Sequence, residues 1–249
     1  MKLSVITVSF NSAATIRWTV ESFLEQSHTD AELLVVDGAS RDDTVEIVNS
    51  YDDPRIRLLS ERDKGIFDAM NKGLRLFEGD AVGFLNSDDR YHDREALSAI
   101  AEALSQSDIA YADIDIVENH VTRKLVRRWR NTAWRKGAFR GGWMPAHPGF
   151  YVRRRVAEAV GPFDLDFPNA SDYDWMLRAM ELFDFPARHV DRVVVDMAAG
   201  GNSSSGLKAY MRGNMESLRV RRRRLNAGLV DAAFVMKPLR KLPQWLARG

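Results

Sequence analysis

Four short, almost wholly apolar runs, LSVITVSF, ELLVVD, IRLLS and AVGFL, recur through the first third of the chain with helix-spaced segments between them. A run that is apolar at successive positions is stable as a strand only where both faces of its sheet are covered. The intervening segments supply the cover: Ile16, Val20 and Leu24 recur at i, i+4 and i+8, Val45, Ile47 and Val48 follow GASRDDT, and GIFDAMNKGLRLF has a third helical period. Strands alternating with helices imply right-handed crossovers and a mostly parallel sheet between two helical layers, an α/β fold. Ser12 is placed to cap the first helix, and Ser40 with Asp43 has capping-box spacing ahead of the second. A helix over 93–106 and a strand near 109–112 continue the pattern.

Beyond Asp113 the pattern changes. IDIVENHVTRKLVRRW predicts a strand pair turning around Glu118–His120, and GGWMPAHPGFYVRR leads through turn residues into another strand. Helices are expected from RVAEAV and through SDYDWMLRAMELF, then a strand at RHVDRVVVDM, the loop AAGGNSSSG and a long basic helix from Leu207. The division this suggests is a domain over 1–205, with halves 1–112 and 113–205, and a basic amphipathic extension over 206–249. The 249 residues suit one α/β domain with additions. With 36 basic and 35 acidic residues, net charge selects no partner. The absence of cysteine rules out disulfides and thiolate metal sites and fits a reducing compartment, so any metal must sit on oxygen or imidazole. No apolar run approaches the roughly 18 residues that span a bilayer, and MKLSVITVSFN has no signal-peptide pattern. The expectation is a cytoplasmic protein.

Ligands of open parallel sheets bind beyond the carboxyl ends of the strands. Those positions hold Ser9–Asn11, Asp37, Glu61–Lys64 and Asn86–Asp89. A bound diphosphate needs counter-charge, yet SFNSAAT after the first strand contains no glycine, so neither a dinucleotide fingerprint nor a P-loop is present. Mg²⁺ or Mn²⁺ on Asp88 or Asp89 would supply that charge. The alternative is that the two acids cap a turn. Asp37 can likewise accept from a base or ribose, or cap the turn that follows it. Asp63, Lys64 and Gly65 form a polar turn before the third helix.

LSVITVSFN, ELLVVDGASRDDT, SERDKGIFDAMNKGL and AVGFLNSDD, in this order and spacing, resemble the inverting family 2 glycosyltransferases of GT-A fold. The likeness is close over residues 1–90 and weaker to residue 200. It implies a nucleotide-diphosphate sugar donor, with a UDP-sugar favoured, and a divalent cation, Mn²⁺ or Mg²⁺. Val8, Phe10, Asn11 and Asp37 would meet the base and ribose, with Asp63, Gly65 and Asn71 near the nucleotide and diphosphate. The family's D-x-D motif falls on Asn86, Ser87 and Asp88. Asn86 in place of the first acid suits ribose contact, leaving Asp88 as metal ligand with Asp89 in support. The catalytic base falls on Asp172, after the GPFD turn, with Ser171 where the family has Glu; Asp174 competes for the role. Acidic residues also suit a first helical turn for electrostatic reasons alone. On this reading residues 1–112 bind the nucleotide sugar and 113–205 the acceptor.

His147 could reach the metal or acceptor, or be a structural loop residue. Trp143 and Phe150 could face a sugar ring or lie in the core. GGNSSSG is a lid or a linker. The tail from LRVRRRRL onward suits an anionic membrane surface, where each nearby cation contributes about 1 kcal/mol, or equally a solvated helical face. The function implied is transfer to a saccharide or lipid-linked saccharide in envelope or exopolysaccharide synthesis, peripheral to the cytoplasmic face of the inner membrane. Two alternatives are a sugar-1-phosphate nucleotidyltransferase, which expects the glycine-rich loop absent here, and nucleic-acid binding through Arg221–Arg224. The latter leaves the strand-end carboxylates unexplained, so no nucleic-acid partner is expected.

Overall fold

The computed structural model describes residues 1–199 and 207–227. The GGNSSSG lid reading and the tail beyond 227 lie outside these residues. The four apolar runs form β1 (Leu3–Ser9), β2 (Ala31–Asp37), β3 (Ile56–Ser60) and β4 (Ala81–Phe84), all mutually parallel in the order β3-β2-β1-β4. Between them lie α1 (Ile16–Leu24), α2 (Thr44–Asn49) and α3 (Ile66–Leu76). β5 (Asp89–Tyr91), α4 (Ala96–Gln106), β6 (Ile109–Val117) and β7 (Leu125–Trp129) follow, then β8 (Phe150–Arg153), α5 (Arg154–Val160), α6 (Ser171–Leu177), β9 (Ala187–Ala198) and α7 (Leu207–Leu225). β8 pairs antiparallel with both β4 and β6, β9 lies parallel to β6, and β5 and β7 run antiparallel at the margins. Six of the nine described strands therefore point one way, and β6 runs through residue 112 as one strand, with a register shift against β9 at Ala112–Ile114.

The apolar strands are explained by what covers them. On β2, Leu33 and Val35 enter one hydrophobic cluster while Leu34 and Val36 enter the other, on the opposite face. Each such fully buried side chain contributes roughly 1.5–3 kcal/mol. One cluster gathers residues of α1, α4 and β6; the other holds Met70, Phe84, Phe163 and Trp175.

Local expectations differ at three places. The Ser12 and Ser40 side chains do not cap the helices: the Ser12 hydroxyl meets Ser87 of the loop after β4, and the Ser40 hydroxyl turns back to Asp37 at the end of β2. The helix from Ser171 becomes a π-helical turn over Arg178–Leu182. The FLNSDD stretch feeds directly into β5, a strand too short to show a period. Among the described residues no helix is long and apolar enough to cross a membrane.

Candidate active site

The carboxyl ends of β1, β2 and β3 are knotted together by Asp37. This residue is fully buried and accepts hydrogen bonds from Ser9 Oγ (3.1 Å), Ser60 Oγ (2.8 Å), Ser40 N (2.9 Å) and the Ser40 hydroxyl. Four donors use the capacity of a carboxylate. A direct base or ribose contact displaces one of them. Three loops converge at Gly38, where a Cβ would stand 2.6 Å from Asp63 Oδ2 and 3.3 Å from the Phe10 ring. Phe10 is 62% exposed, an aromatic face open beside this junction. Asp63 Oδ1 accepts from Gly65 N at 2.7 Å, and Gly65 has φ +119°, a conformation that disfavours any side chain. Asn11, also at positive φ, accepts from Arg41 N at 2.9 Å, and Val8 is buried below the junction. Asn71 turns away from this loop. Its amide donates to the Phe163 carbonyl (3.0 Å) and accepts from the Phe163 N–H (2.7 Å), fastening α3 to the GPFD turn.

The exit from β4 is held from below. Thr7 Oγ1 donates to the Leu85 carbonyl, Thr19 Oγ1 to the carbonyls of Asn86 and Asp89, and Ser87 Oγ lies 2.9 Å from Ser12 Oγ. His120, from the loop after β6, donates through Nε2 to the Asp88 carbonyl at 2.6 Å. Asn86 Nδ2 donates to Asp89 Oδ2 at 2.8 Å. The other Asp89 oxygen is buried with no partner, and burial together with the adjacent Asp88 charge pushes this carboxyl well above the ordinary range. The half-buried Asp88 carboxylate has no hydrogen-bond or ion-pair partner among the described residues.

Opposite this exit stands α6. Phe84 stacks on His147 at 5.1 Å between centroids, and the edge of Phe163 approaches the same imidazole. Burial lowers the His147 pKa, opposed by the charge of Asp172, and its Nε2 has no partner. Asp172 is half-buried, with Oδ1 accepting from Tyr173 N at 2.7 Å. Asp174 points elsewhere, because residues two apart on a helix lie about 200° around its axis. It is fully buried, with Arg178 Nε at 2.8 Å and Arg224 Nε at 2.7 Å. Trp143 is a core residue, its edge against Tyr111 and Phe139 and its Nε1 donating to Thr132 Oγ1. Phe150 is buried against Trp175.

A second set of cation-capable groups was not legible in the sequence. Asp113, His189 and Asp191 bring ligand atoms within 4.8 Å of one another, on strands paired across 76 residues. Burial would raise the Asp113 pKa, but hydrogen bonds from His189, Asn131 N and Arg130 hold it below the ordinary value. Arg130 at 3.1 Å already balances this carboxylate, whereas among the described residues no cation pairs with Asp88 or Asp89.

Comparison with known proteins agrees with this architecture. Residues 4–161 match the family description "Glycosyl transferase family 2". A PGL/p-HBAD biosynthesis glycosyltransferase of Mycobacterium bovis is 29% identical over 215 residues, 82% of this chain and 78% of that protein. An uncharacterised glycosyltransferase of Mycobacterium tuberculosis is 32% identical over 179 residues, 71% and 68% of the two chains. Among solved structures, the mannosyltransferase PcManGT of Pyrobaculum calidifontis, in complex with GDP-Man and Mn²⁺, superposes with a TM-score of 0.70 at 20% identity, covering 98% of this chain and 69% of that one. TarS of S. aureus, in complex with UDP-GlcNAc, gives 0.63 at 18% identity over 99% and 79%. The chain belongs to glycosyl transferase family 2, with the GT-A fold.

Proposed function

We propose that the protein transfers a sugar, with inversion, from a nucleotide-diphosphate donor to a saccharide or lipid-linked saccharide of an envelope or exopolysaccharide. The observation that carries this reading is the division of labour on α6: Asp174 is bound by two guanidinium groups, while Asp172 has a carboxylate oxygen free beside His147 and the β4 exit. The base and ribose would lie at the Phe10–Gly38–Asp63 junction, with the backbone of Val8 and Asn11 shaping one wall and Gly65 admitting the phosphates. Asn86 and Ser87 would bound the ribose. Asn71 would act indirectly, by fixing the GPFD turn.

The acceptor hydroxyl oxygen forms a bond to the anomeric carbon as the bond to the diphosphate breaks and its electron pair leaves with the nucleotide. Asp172 takes the hydroxyl proton at the oxygen not bonded to Tyr173 N–H. Buried, neutral His147 keeps that carboxylate in a partly apolar setting. The residues at the β4 exit fit a divalent cation, since Asp88 is unpartnered and Asp89 buries an unsatisfied oxygen. Asp88, with Asp89 behind it, would hold Mn²⁺ or Mg²⁺, which when bound offsets the charge of the leaving diphosphate. The PcManGT complex with GDP-Man and Mn²⁺ and the TarS complex with UDP-GlcNAc support a nucleotide-sugar donor and a divalent ion. Transfer to a lipid-linked acceptor would take place at the cytoplasmic face of the inner membrane.

Thermal-shift screening against UDP-, GDP- and dTDP-sugars, with and without Mn²⁺, tests donor and class together. A ligand at 100 times its Kd adds about 2.7 kcal/mol. One donor series should raise Tm in an Mn²⁺-dependent way, and Asp88→Ala should lose the Mn²⁺ component while keeping its circular-dichroism spectrum. No shift with any nucleotide sugar would overturn the reading.

A further inference from the structure

Within the basic run of α7, Arg221 is buried and Arg224 half-buried, while Arg222 and Arg223 are exposed. Arg224 donates from Nε to Asp174 Oδ1 (2.7 Å) and from Nη2 to both Asp164 Oδ2 (2.7 Å) and Asp174 Oδ2 (3.3 Å). One planar guanidinium thus joins the start of the 164–170 turn to the first turn of α6, a bridge a point charge could not make. Arg178 takes the second Asp174 oxygen and donates to the carbonyls of Val160 and Pro162. Ser171 Oγ closes the turn on the Asp164 carbonyl, and Glu216 of α7 receives both the N–H and the side-chain amide of Asn169 at 2.6 Å. Asp174 is thus met by Arg178 and Arg224, and Asp164 by Arg224 and, at 3.4 Å, by Arg223. The segment that delivers Asp172 is held by this network, by Arg223 on Asp164 and Asp166, by Trp175 Nε1 donating to the Gly161 carbonyl, by the Tyr173 hydroxyl donating to the Phe139 carbonyl, by Asn71 and by the aromatic floor beneath it.

We propose that Arg224 is a positioning residue for transfer: α7 grips the back of α6 through Asp174 so that Asp172, on the other side of the same helix, meets the acceptor. The proposal rests on Asp172 being the base. Arg224 touches no reacting atom. It lies 50 residues beyond Asp174 and outside residues 4–161, the span that matches the family. α7 is thereby part of the catalytic wall, and the arginines that suggest a membrane or nucleic-acid tail are partly spent on the protein itself.

The test compares wild type with Arg224→Ala, Arg224→Lys, Asp164→Asn and Met215→Ala, the last an exposed α7 control at 53% exposure. Nucleoside-diphosphate release is measured against donor concentration, with hydrogen exchange of each folded protein. A displacement of about 1 Å at a reacting group costs about a hundredfold. Arg224→Ala should therefore lower kcat by about that factor with donor KM within about twofold, and exchange should accelerate over 161–174 alone. Arg224→Lys should recover part of the loss, and Met215→Ala should match wild type. Asp164→Asn, which keeps the Asp174 pair, carries the test if Arg224→Ala does not fold, with kcat reduced and KM unchanged. Wild-type kcat in Arg224→Ala, or losses of kcat and donor binding in equal proportion, would overturn the proposal. Full turnover in Asp172→Asn would instead sink the base assignment, while exchange over 161–174 would still report whether Arg224 holds the segment.

Discussion

The β4 exit and the first turn of α6 each present a pair of aspartates, one buried and one half-exposed, yet they treat the buried member in opposite ways. Among the described residues Asp89 has one amide donor, an oxygen without a hydrogen-bond partner and no paired cation, and its carboxyl is pushed up by burial and by Asp88. Asp174 has two arginines. Burying a carboxylate is expensive unless it is paired, so the second pair is complete as folded and the first is not. On the proposed reading, the difference would separate a structural acid from one built to receive a positive ligand. Asp88 would then face that ligand, and Asp172 would serve as base on a helix anchored through Asp174.

The largest effect expected from breaking this contrast is at α6. Asp172→Asn preserves shape and removes the proton acceptor, and general-base removal typically costs 10²- to 10⁴-fold, so kcat should fall about a thousandfold with donor KM nearly unchanged. Asp174→Asn should instead act on the fold: breaking a buried pair costs about 3–5 kcal/mol, or roughly 10 °C in Tm for a chain of this size. Steady-state kinetics and calorimetry on both variants decide between the two acids. The assignment is reversed if Asp174→Asn is stable but slow and Asp172→Asn is fast.

Much of this contrast is invisible along the chain. Apolar period and strand-end polarity are local signals, so β1 to β4, the flanking helices and the acidic pairs could all be placed from the sequence. Which polar groups meet is a property of packing. Nothing near Asn71 marks Phe163, 92 residues away, as the partner for both ends of its amide, and nothing in SDYDW distinguishes Asp172 from Asp174 until Arg224 arrives from α7. Ser12 misleads for the same reason, its hydroxyl meeting Ser87, 75 residues away, whereas Ser40 turns back to Asp37 only three residues before it. Trp143 looks available for a sugar because its indole lies among turn residues, whereas Tyr111 and Phe139 enclose it.

A smaller effect is expected at Asp89. Its folded pKa is raised, so its contribution to stability is full below the unfolded value near 3.9 and is lost as pH rises through the folded value. Without divalent ions, wild-type Tm should carry this downward slope with pH and Asp89→Asn should not, since an amide does not ionise. Mn²⁺ should flatten the wild-type slope and leave the variant's unchanged. Parallel Tm–pH curves for the two proteins without metal would show that Asp89 is compensated by another group, and the contrast with Asp174 would fail.

Between these extremes lies a carboxylate whose counter-charge is itself titratable. Asp196 on β9 is buried against Arg123 and, at 2.6 Å, against His92 Nδ1, in a cavity of about 500 Å³ that Asp115 also lines. The hydrogen bond that His92 donates to Asp196 raises the His92 pKa above 6.5. The stabilisation from this pair is therefore fully present below about pH 6.5 and is lost as pH rises through the higher folded value. His92 is 36% exposed, so solvent screening keeps the effect below about 1 kcal/mol. Urea melts at pH 6 and pH 8.5 should show wild type losing that increment and His92→Gln losing none of it. Arg123 stays charged across the range and keeps Asp196 paired, which is why the loss is small here and would be large at Asp174 if Arg178 and Arg224 could be neutralised. Equal losses in both proteins would mean that Arg123 alone compensates Asp196, making it a second case of the Asp174 kind.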